Sequence, residues 1–284
     1  MIPFPINLEG KVVVVTGGSG VLCSEMARAL GKCGAKVAIL GRTLENVEHV
    51  ATEINDAGGT ALGVAGDVTD VTAVRNAEAT VSERFGPCDI LINGAGGNHP
   101  KGTTSLESLT PATLETADAD VTTFYDLEPA GLEFVLSVNF IGTIIPTQVF
   151  TRKMAERGHG TVVNISSMSA YQPLTKVMAY SAAKSAINNV TQWLAVHLSK
   201  VGIRVNAIAP GFFLTTQNKD LLTNPDGSMT ARGGRIIDHT PMGRYGVPFD
   251  LVGTLLWLCC DEASGFVTGI VIPVDGGFMA FAGV

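Results

Sequence analysis

Residues Lys11–Cys33 read KVVVVTGGSGVLCSEMARALGKC, and this stretch decides the fold. An apolar, β-branched run over Lys11–Thr16 ends in glycines, and apolar residues then recur at helical spacing over Gly20–Cys33. A glycine-rich turn between a strand and a helix presents backbone N–H groups and the positive helix end to a pyrophosphate. The turn therefore predicts a nucleotide site, although glycines also occur where a chain simply reverses direction.

The same alternation continues along the chain and predicts one doubly wound α/β domain over residues 1–284, with helices on both faces of a parallel sheet. The further predicted strands are Lys36–Leu40, Thr60–Gly66, Asp89–Asn93, Thr161–Ile165, Arg204–Ile208 and Ile270–Val274. The further predicted helices are Leu44–Ala57, Asp70–Arg84, Phe134–Arg157, Met178–Val201 and Phe249–Cys260.

Composition restricts the classes of protein and partner. Hydrophobic residues make up 46% of the 284 residues and charged residues 16%, which suits a sheet covered on both faces. A net charge of −7 without a basic tract predicts no nucleic-acid partner. We also expect no membrane span, because no uninterrupted apolar run is long enough, and Met1–Gly10 lacks the features of a secretion signal. Five cysteines without zinc-ligand spacing predict free thiols, no metal and a cytoplasmic location.

Two segments depart from the alternating pattern. Residues 97–121, called the insertion below, are polar and threonine-rich, and loops of this length are usually functional or disordered. Residues 211–247, called the lid below, follow the predicted strand Arg204–Ile208 and are rich in loop-forming residues. We expect the lid to be mobile without ligand and to become ordered when cofactor and substrate bind.

Tyr180 and Lys184 stand four residues apart on a predicted helix and so share one of its faces. A nearby ammonium favours the phenolate and lowers the pKa of a tyrosine, which makes the pair a candidate general acid and base. Ser167 follows the predicted strand Thr161–Ile165, where a hydroxyl could hold a substrate oxygen. Alternatively, Tyr180 simply starts the helix, Lys184 is solvated, and Ser167 is an ordinary turn residue.

These motifs, in this order and spacing, resemble the short-chain dehydrogenase/reductase family over nearly the whole chain. The residues that carry the resemblance are Thr16-Gly17, Asn93-Gly94-Ala95-Gly96, Asn139, Ser167, Tyr180-Ser181-Ala182-Ala183-Lys184 and Pro210-Gly211. The resemblance implies a Rossmann-type fold and a nicotinamide cofactor. It also implies a catalytic group of Ser167, Tyr180 and Lys184 supported by Asn139, and a tetramer formed through the long helices that carry Asn139 and Tyr180.

The resemblance further implies a set of cofactor contacts. Asp67 and Val68 would lie beside the adenine, Ala95-Gly96 beside the ribose and phosphate, and Pro210-Gly211 near the nicotinamide. The predicted cofactor-binding residues are Thr16, Gly17, Ser19, Gly20, Val21, Leu22, Arg42, Asp67, Val68, Asn93, Ala95, Gly96, Tyr180, Lys184, Pro210, Gly211 and Thr215.

The chain departs from the family pattern at three places. The family's turn reads T-G-x-x-x-G-x-G, whereas Val21 and Cys23 occupy its second and third glycine positions here, and Gly20 falls one residue early. Gly94 replaces the second asparagine of the family's N-N-A-G motif. The insertion is the third departure, and the phosphate turn is therefore expected to differ in shape from that of the family.

The end of the second predicted strand, Leu40-Gly41-Arg42, bears on cofactor choice. Relatives that prefer NAD usually carry an acidic residue at the position of Gly41. Gly41 has no carboxylate to repel a 2′-phosphate, and Arg42 offers a guanidinium to bind it, which favours NADP with NAD as the alternative. Arg42 could equally be a solvated loop residue or stack on the adenine.

The insertion and the lid supply the predicted substrate contacts. Asn98, His99 and Lys101 bring donors and a cation to the crevice edge, Arg244 offers a second cation, and Ser167 the substrate oxygen contact. A sugar acid needs such groups. The turn T-G-G-x-G-V-L, the start of the insertion at Gly97-Asn98-His99-Pro100-Lys101 and the tail Phe278–Val284 are together similar to the D-mannonate oxidoreductase (fructuronate reductase) branch. This narrower resemblance implies interconversion of D-mannonate and D-fructuronate.

Several alternatives stay open at this point. Lys101 and Arg244 could instead face solvent or contact another subunit, and the substrate could be another carbonyl compound, such as a keto-sugar or a 3-oxoacyl thioester. A non-catalytic nucleotide-binding relative would be indicated by loss of the tyrosine or lysine, and both are present. A hydrolase is disfavoured because the chain has no G-x-S-x-G motif.

Overall fold

A computed structural model describes residues 6–115, 120–215 and 219–283 of the chain. Its strands form one sheet in which all the pairings are parallel. The strands are β1 (Val12–Thr16), β2 (Lys36–Gly41), β3 (Thr60–Ala65), β4 (Ile90–Asn93), β5 (Gly160–Ile165), β6 (Ile203–Pro210) and β7 (Val271–Val274). Their spatial order is β3-β2-β1-β4-β5-β6-β7.

The chain order of the sheet reverses between β1 and β4. Val13 of β1 pairs with Val37 on one side and with Ile90 on the other. Ligands of open α/β sheets bind at the carboxyl ends of the strands beside such a reversal. The predicted doubly wound parallel sheet is thus confirmed, and Thr16 and Asn93 end the two strands that flank the crevice.

Helices alternate with the strands along the chain, as predicted. They are α1 (Val21–Lys32), α2 (Leu44–Asp56), α3 (Val71–Phe85), α4 (Pro111–Glu115), α5 (Pro129–Leu136), α6 (Gly142–Arg157), α7 (Met178–Leu198), α8 (Lys219–Leu222), α9 (Ala231–Asp238), α10 (Val252–Cys259) and α11 (Asp261–Ser264). A π-helical turn, Ser137–Ile141, joins α5 to α6. This long helix starts at Pro129 rather than at the predicted Phe134, because proline is well suited to the first helical position.

The two faces of the sheet are covered by separate apolar clusters. On one face, α1, α2 and α10 pack through residues such as Met26, Val50 and Leu255. On the other, α3, α6 and α7 pack through residues such as Val74 and Phe150. Because helices cover both faces of the sheet, its strands are apolar runs in the sequence rather than alternating apolar and polar residues.

One helix of the described residues, Pro129–Arg157, is long and apolar enough by composition to cross a membrane. The expectation of no membrane span considered only uninterrupted apolar runs. Polar residues interrupt this helix, although its mean hydropathy is that of an apolar segment. Half of its most apolar window is buried inside the protein, where Phe150 and Met154 are almost fully enclosed. The packing makes it a core helix of this fold.

The insertion packs over the crevice rather than projecting from it. A short 3₁₀ helix, Pro100–Gly102, lies so close to α5 that a Cβ on Gly131 would stand 2.5 Å from the carbonyl carbon of Lys101. The Thr104 N–H donates to the carbonyl oxygen of Lys176 at 3.0 Å, in the loop before α7. Residues 116–119, in the middle of the insertion, lie outside the described ranges.

The lid contains more regular structure than its composition predicted. Helix α9 is capped by Thr230, whose hydroxyl accepts a hydrogen bond from the Gly233 N–H at 3.0 Å. Ile236 of α9 packs with Met168, and a bridge pairs Phe213 with Gly246. The lid is therefore fastened to the body of the domain by packing, and backbone pairing joins its two ends to each other.

Candidate active site

The phosphate turn leaves the N-terminus of α1 open. Gly17 has φ of 63°, and a Cβ there would lie 2.8 Å from the Cα of Ala95, so only glycine fits. Gly20 precedes α1 in an extended conformation and has no side chain to cap it, and the first turn holds no acidic residue. An open, positive helix end at the crevice fits the pyrophosphate of a dinucleotide, with Ser19, Val21 and Leu22 around it.

Thr16 joins the two strands at the crevice. Its buried hydroxyl accepts hydrogen bonds from the N–H groups of Gly94 at 3.1 Å and Ala95 at 3.2 Å. Asn93 is buried beneath, where its Nδ2 donates to Thr147 Oγ1 and Asn164 Oδ1, both at 2.9 Å. The Asn93 side chain therefore faces the interior and holds the strand ends together, and a cofactor contact at this position would involve its backbone.

Cys23 and Gly94 both depart from the family pattern, and side chains at these two positions would compete for the same volume. A Cβ on Gly94 would lie 2.3 Å from the Sγ of Cys23, and Cys23 Sγ lies 3.8 Å from the Gly94 carbonyl oxygen. The thiol thus fills the volume that a larger residue at position 94 needs. Burial raises the pKa of Cys23 to about 11, although the charge of Lys184 opposes this shift. The thiol is therefore neutral and acts as a packing group.

Ser167, Tyr180 and Lys184 meet beyond the end of β5. Ser167 Oγ accepts from Ser169 N at 3.2 Å and Ser169 Oγ at 3.0 Å, and a hydrogen bond links it with Tyr180. Lys184 Nζ lies 5.6 Å from the centroid of the Tyr180 ring and donates to the Ile165 carbonyl at 2.8 Å. The three side chains that the sequence predicts as a catalytic group therefore adjoin one another.

Burial controls the protonation of this group. It raises the pKa of Tyr180, and the hydrogen bond with Ser167 only partly opposes the shift. It also lowers the pKa of Lys184 to about 8, against the effect of the Cys23 thiol. Loss of hydration is thus the largest cause of both shifts in the absence of cofactor, and the lowering of the Tyr180 pKa by Lys184 stays a prediction.

Asn139 lies in the π-helical turn and is fully buried. Its Nδ2 donates to the carbonyls of Gly97 at 2.7 Å and Val135 at 2.8 Å, and its Oδ1 accepts from the Gly97 N–H at 3.3 Å. A Cβ on Gly96 would lie 2.6 Å from that Oδ1 and 3.5 Å from Lys184 Nζ. Asn139 therefore clamps the chain that leaves β4 beside Lys184.

The far end of the crevice suits an adenosine. A Cβ on Gly41 would stand 2.9 Å from Val47 Cγ1 and 3.5 Å from Ser19 Oγ, so packing disfavours a larger residue there. Asp67 Oδ1 accepts from Thr69 N and Thr69 Oγ1, which lowers its pKa with a smaller contribution from Arg42. Arg42 is exposed and Val68 is buried against Gly142.

The opposite end of the crevice lies beyond β6, which ends at Pro210. A Cβ on Gly211 would lie 2.6 Å from the Cα of Asp275, so a glycine lets the chain turn there. Thr215 is the last described residue before 216–218, which lie outside the described ranges. This geometry places the predicted nicotinamide contacts at the entrance to the lid.

The predicted substrate residues are brought to the crevice edge, but their charges are already paired. Lys101 Nζ lies 2.8 Å from Glu128 Oε2, and Arg244 makes a bidentate pair with Asp250 at 2.7 and 3.0 Å. His99 Nδ1 accepts from the Lys101 N–H, and Asn98 is exposed. Each of the two cations thus already faces one acid, and their part in binding a substrate carboxylate stays a prediction.

Sequence reasoning missed a second pair of cations. Arg232 and Arg235, on α9 of the lid, both contact Oε1 of Glu107 in the insertion. They line a cavity of about 350 Å³ that the loop before Tyr180 also lines. The available sequence signal for this pair was two arginines at helical spacing after Thr230, a residue typical of a helix N-terminus. No pattern in the neighbouring sequence indicated that Glu107 would contact them.

Known proteins resemble this chain over its full length. The model of the family described as short chain dehydrogenase matches residues 11–226. The uncharacterized oxidoreductase UxuB of Bacillus subtilis (strain 168) is 54% identical over 284 residues, covering 100% of both chains. The chain belongs to the short-chain dehydrogenase family. It is therefore a nicotinamide-dependent oxidoreductase with the Rossmann-type fold.

Two solved members of the short-chain dehydrogenase family show the same architecture with cofactors. A Haemophilus influenzae protein assigned as a D-mannonate oxidoreductase, with bound NAD, is 47% identical with a TM-score of 0.92, covering 98% of each chain. A gluconate 5-dehydrogenase of Burkholderia cenocepacia J2315, in complex with NADP and tartrate, is 28% identical with a TM-score of 0.81, covering 99% of each chain. Both nicotinamide cofactors thus occur among the relatives.

Proposed function

We propose that this dehydrogenase interconverts D-mannonate and D-fructuronate. The observation that carries the reaction class is the contact of Ser167, Tyr180 and Lys184 at the carboxyl edge of the sheet, beside the reversal of strand order. The substrate assignment rests on the full-length similarity to the Haemophilus influenzae protein and on the two lid arginines, Arg232 and Arg235, that share one acid, Glu107.

A bound nicotinamide cofactor supplies the hydride for reduction of the ketone or accepts it from the alcohol. In the reducing direction, the Tyr180 hydroxyl donates its proton to the carbonyl oxygen, and the hydroxyl of Ser167 holds that oxygen. Lys184 would hold the ribose hydroxyls of the cofactor when it is bound, and its ammonium would support the phenolate left on Tyr180. Asn139 fixes the chain beside Lys184, where a water relay returns the proton.

The cofactor we propose is NADP, with NAD as the second candidate. Gly41 carries no carboxylate against a 2′-phosphate, and the exposed guanidinium of Arg42 stands beside the adenosine end of the crevice. Bound NAD in the Haemophilus influenzae relative favours the second candidate. The ratio of kcat/KM for the two cofactors decides between them, and Arg42→Ala should lower only the NADP value.

A screen of substrates tests the proposed reaction. Sugar acids, keto-sugars and a 3-oxoacyl thioester are offered with each cofactor, and the absorbance of the reduced nicotinamide is followed. We expect D-mannonate and D-fructuronate to have the largest kcat/KM. Absence of turnover with any hexonate would remove the substrate assignment, and preference for the thioester would favour that alternative reduction.

We also propose a cytoplasmic homotetramer. The five cysteines are all free in the structure, as a reducing compartment allows. Trp193 and Val196 of α7 are 58% and 78% exposed, and Leu136 and Ile141 of the long helix are also exposed. Apolar side chains exposed on the same two helices that the family resemblance implicates suit packing between subunits.

A further inference from the structure

A cavity of about 350 Å³ lies between the lid and the loop that joins Ser167 to Tyr180. Its apolar lining includes Leu174, Phe212, Ile236 and Phe278. The same side chains pack with Met168, the residue after Ser167. The cavity is thus built on the segment that carries the catalytic serine.

The other end of this loop ties the cavity to the catalytic tyrosine. The Leu174 N–H donates to Ser181 Oγ at 3.3 Å, and Ser181 follows Tyr180 directly. Thr175, next along the loop, also lines the cavity. The loop that lines the cavity is therefore anchored beside both groups that are proposed to hold the reacting oxygen.

Two arginines from the lid converge at the mouth of this cavity. Arg235 Nη2 lies 2.6 Å from Glu107 Oε1, and Arg232 Nη1 lies 3.2 Å from the same oxygen. Arg232 Nη1 also donates to Thr175 Oγ1 at 3.3 Å. The Arg232 side chain is only 24% exposed, so its charge is held in place and partly shielded from water.

The charge balance distinguishes this pair from the other cations near the crevice. Lys101 and Arg244 each face one carboxylate, whereas Arg232 and Arg235 share the one carboxylate of Glu107. The arginine pair therefore keeps a net positive charge after its local pairing. A guanidinium is also well matched to a carboxylate in shape and hydrogen bonding.

We propose that Arg232 and Arg235, together with Thr175, bind the carboxylate of the sugar-acid substrate. Glu107 is a positioning residue, which holds the two guanidinium groups in place until the substrate carboxylate exchanges with it. This inference rests on the proposed function and adds the groups that select an acid over a neutral sugar. It also gives the insertion and the lid a joint role, since Glu107 of the insertion is replaced by the substrate carboxylate at the arginines of the lid.

Steady-state kinetics of Arg232→Met and Arg235→Met test the assignment, with Arg152→Met, at an exposed arginine paired with Glu156 on α6, as the matched control. Loss of a charged hydrogen-bond partner should raise KM for D-mannonate roughly 10- to 100-fold in the first two variants. The cofactor KM and the inhibition constant of neutral D-mannitol should stay within about twofold of wild type, because neither depends on the carboxylate. Arg152→Met should leave all three values unchanged.

The variant Glu107→Gln provides the opposite test. It removes the competing charge but keeps the shape of the side chain, so KM for D-mannonate should fall. Arg232→Lys should recover only part of the loss in Arg232→Met, since an ammonium lacks the planar fork. Unchanged KM in both arginine-to-methionine variants, or equal losses for D-mannonate and D-mannitol, would overturn the inference while leaving the proposed function intact.

Failure of the proposed function is seen separately, as absence of hexonate turnover by the wild-type enzyme. The carboxylate site is then tested without turnover, by calorimetric titration of the cofactor-loaded enzyme with tartrate and with neutral threitol. Tartrate binding that weakens in Arg232→Met supports the site. Tartrate affinity equal in wild type and Arg232→Met overturns it.

Discussion

At the scale of single residues, Cys23 and Gly94 form a complementary pair. Gly94→Asn alone should be destabilised, because its Cβ would meet Cys23 Sγ at 2.3 Å and overpacking typically costs about 1–3 kcal/mol. The double variant Cys23→Gly/Gly94→Asn restores the glycine and asparagine of the family pattern and should regain most of that stability. Urea unfolding of the two single variants and the double variant measures the coupling. Additive losses would show that the two positions are independent.

Lys184 is the residue where function and stability conflict most directly. Its folded pKa of about 8 lies below the ordinary lysine value of 10.5, so the unfolded chain binds more protons between these values, and stability should rise with pH across that window. Lys184→Met should therefore unfold at higher urea than wild type at pH 7, with a smaller gain at pH 10, and should lose activity. A variant less stable than wild type at pH 7 would contradict this account of the buried ammonium.

At the scale of elements, the lid is the segment that we expect ligands to order most. It is tied to the insertion through Glu107 and to the rest of the domain through Ile236, and the Phe213–Gly246 bridge joins its two ends. We expect amide hydrogen exchange across 211–247 to slow when cofactor and D-mannonate are both bound, with exchange in β1 as the internal reference. Equal exchange with and without ligands would exclude a lid that closes.

The elements also show what local sequence could and could not predict. Strands such as Val12–Thr16 were predicted because buried parallel strands are apolar throughout, and α7 because its apolar residues recur at helical spacing. Helix α9 was missed because its two central glycines, Gly233 and Gly234, suggested a loop. Its helical state depends on packing of Ile236 against distant residues, which no local pattern reports.

At the scale of the whole molecule, the candidate site combines nearby motifs with distant pairs. Tyr180 and Lys184 are four residues apart, so helical geometry alone predicted their contact. Glu107 and Arg232 are separated by 125 positions in the chain, and their ion pair exists only because the insertion and the lid fold toward the same cavity. The catalytic group was therefore predictable from sequence, whereas the carboxylate site was not.

The whole account depends on Tyr180 as the group that moves the proton. The most direct test is the turnover of Tyr180→Phe with D-mannonate and with D-fructuronate, alongside the dissociation constant of the cofactor. The variant keeps the ring and loses only the hydroxyl, so cofactor binding should persist while kcat falls roughly 10²- to 10⁴-fold. Turnover close to that of the wild-type enzyme would contradict the mechanism.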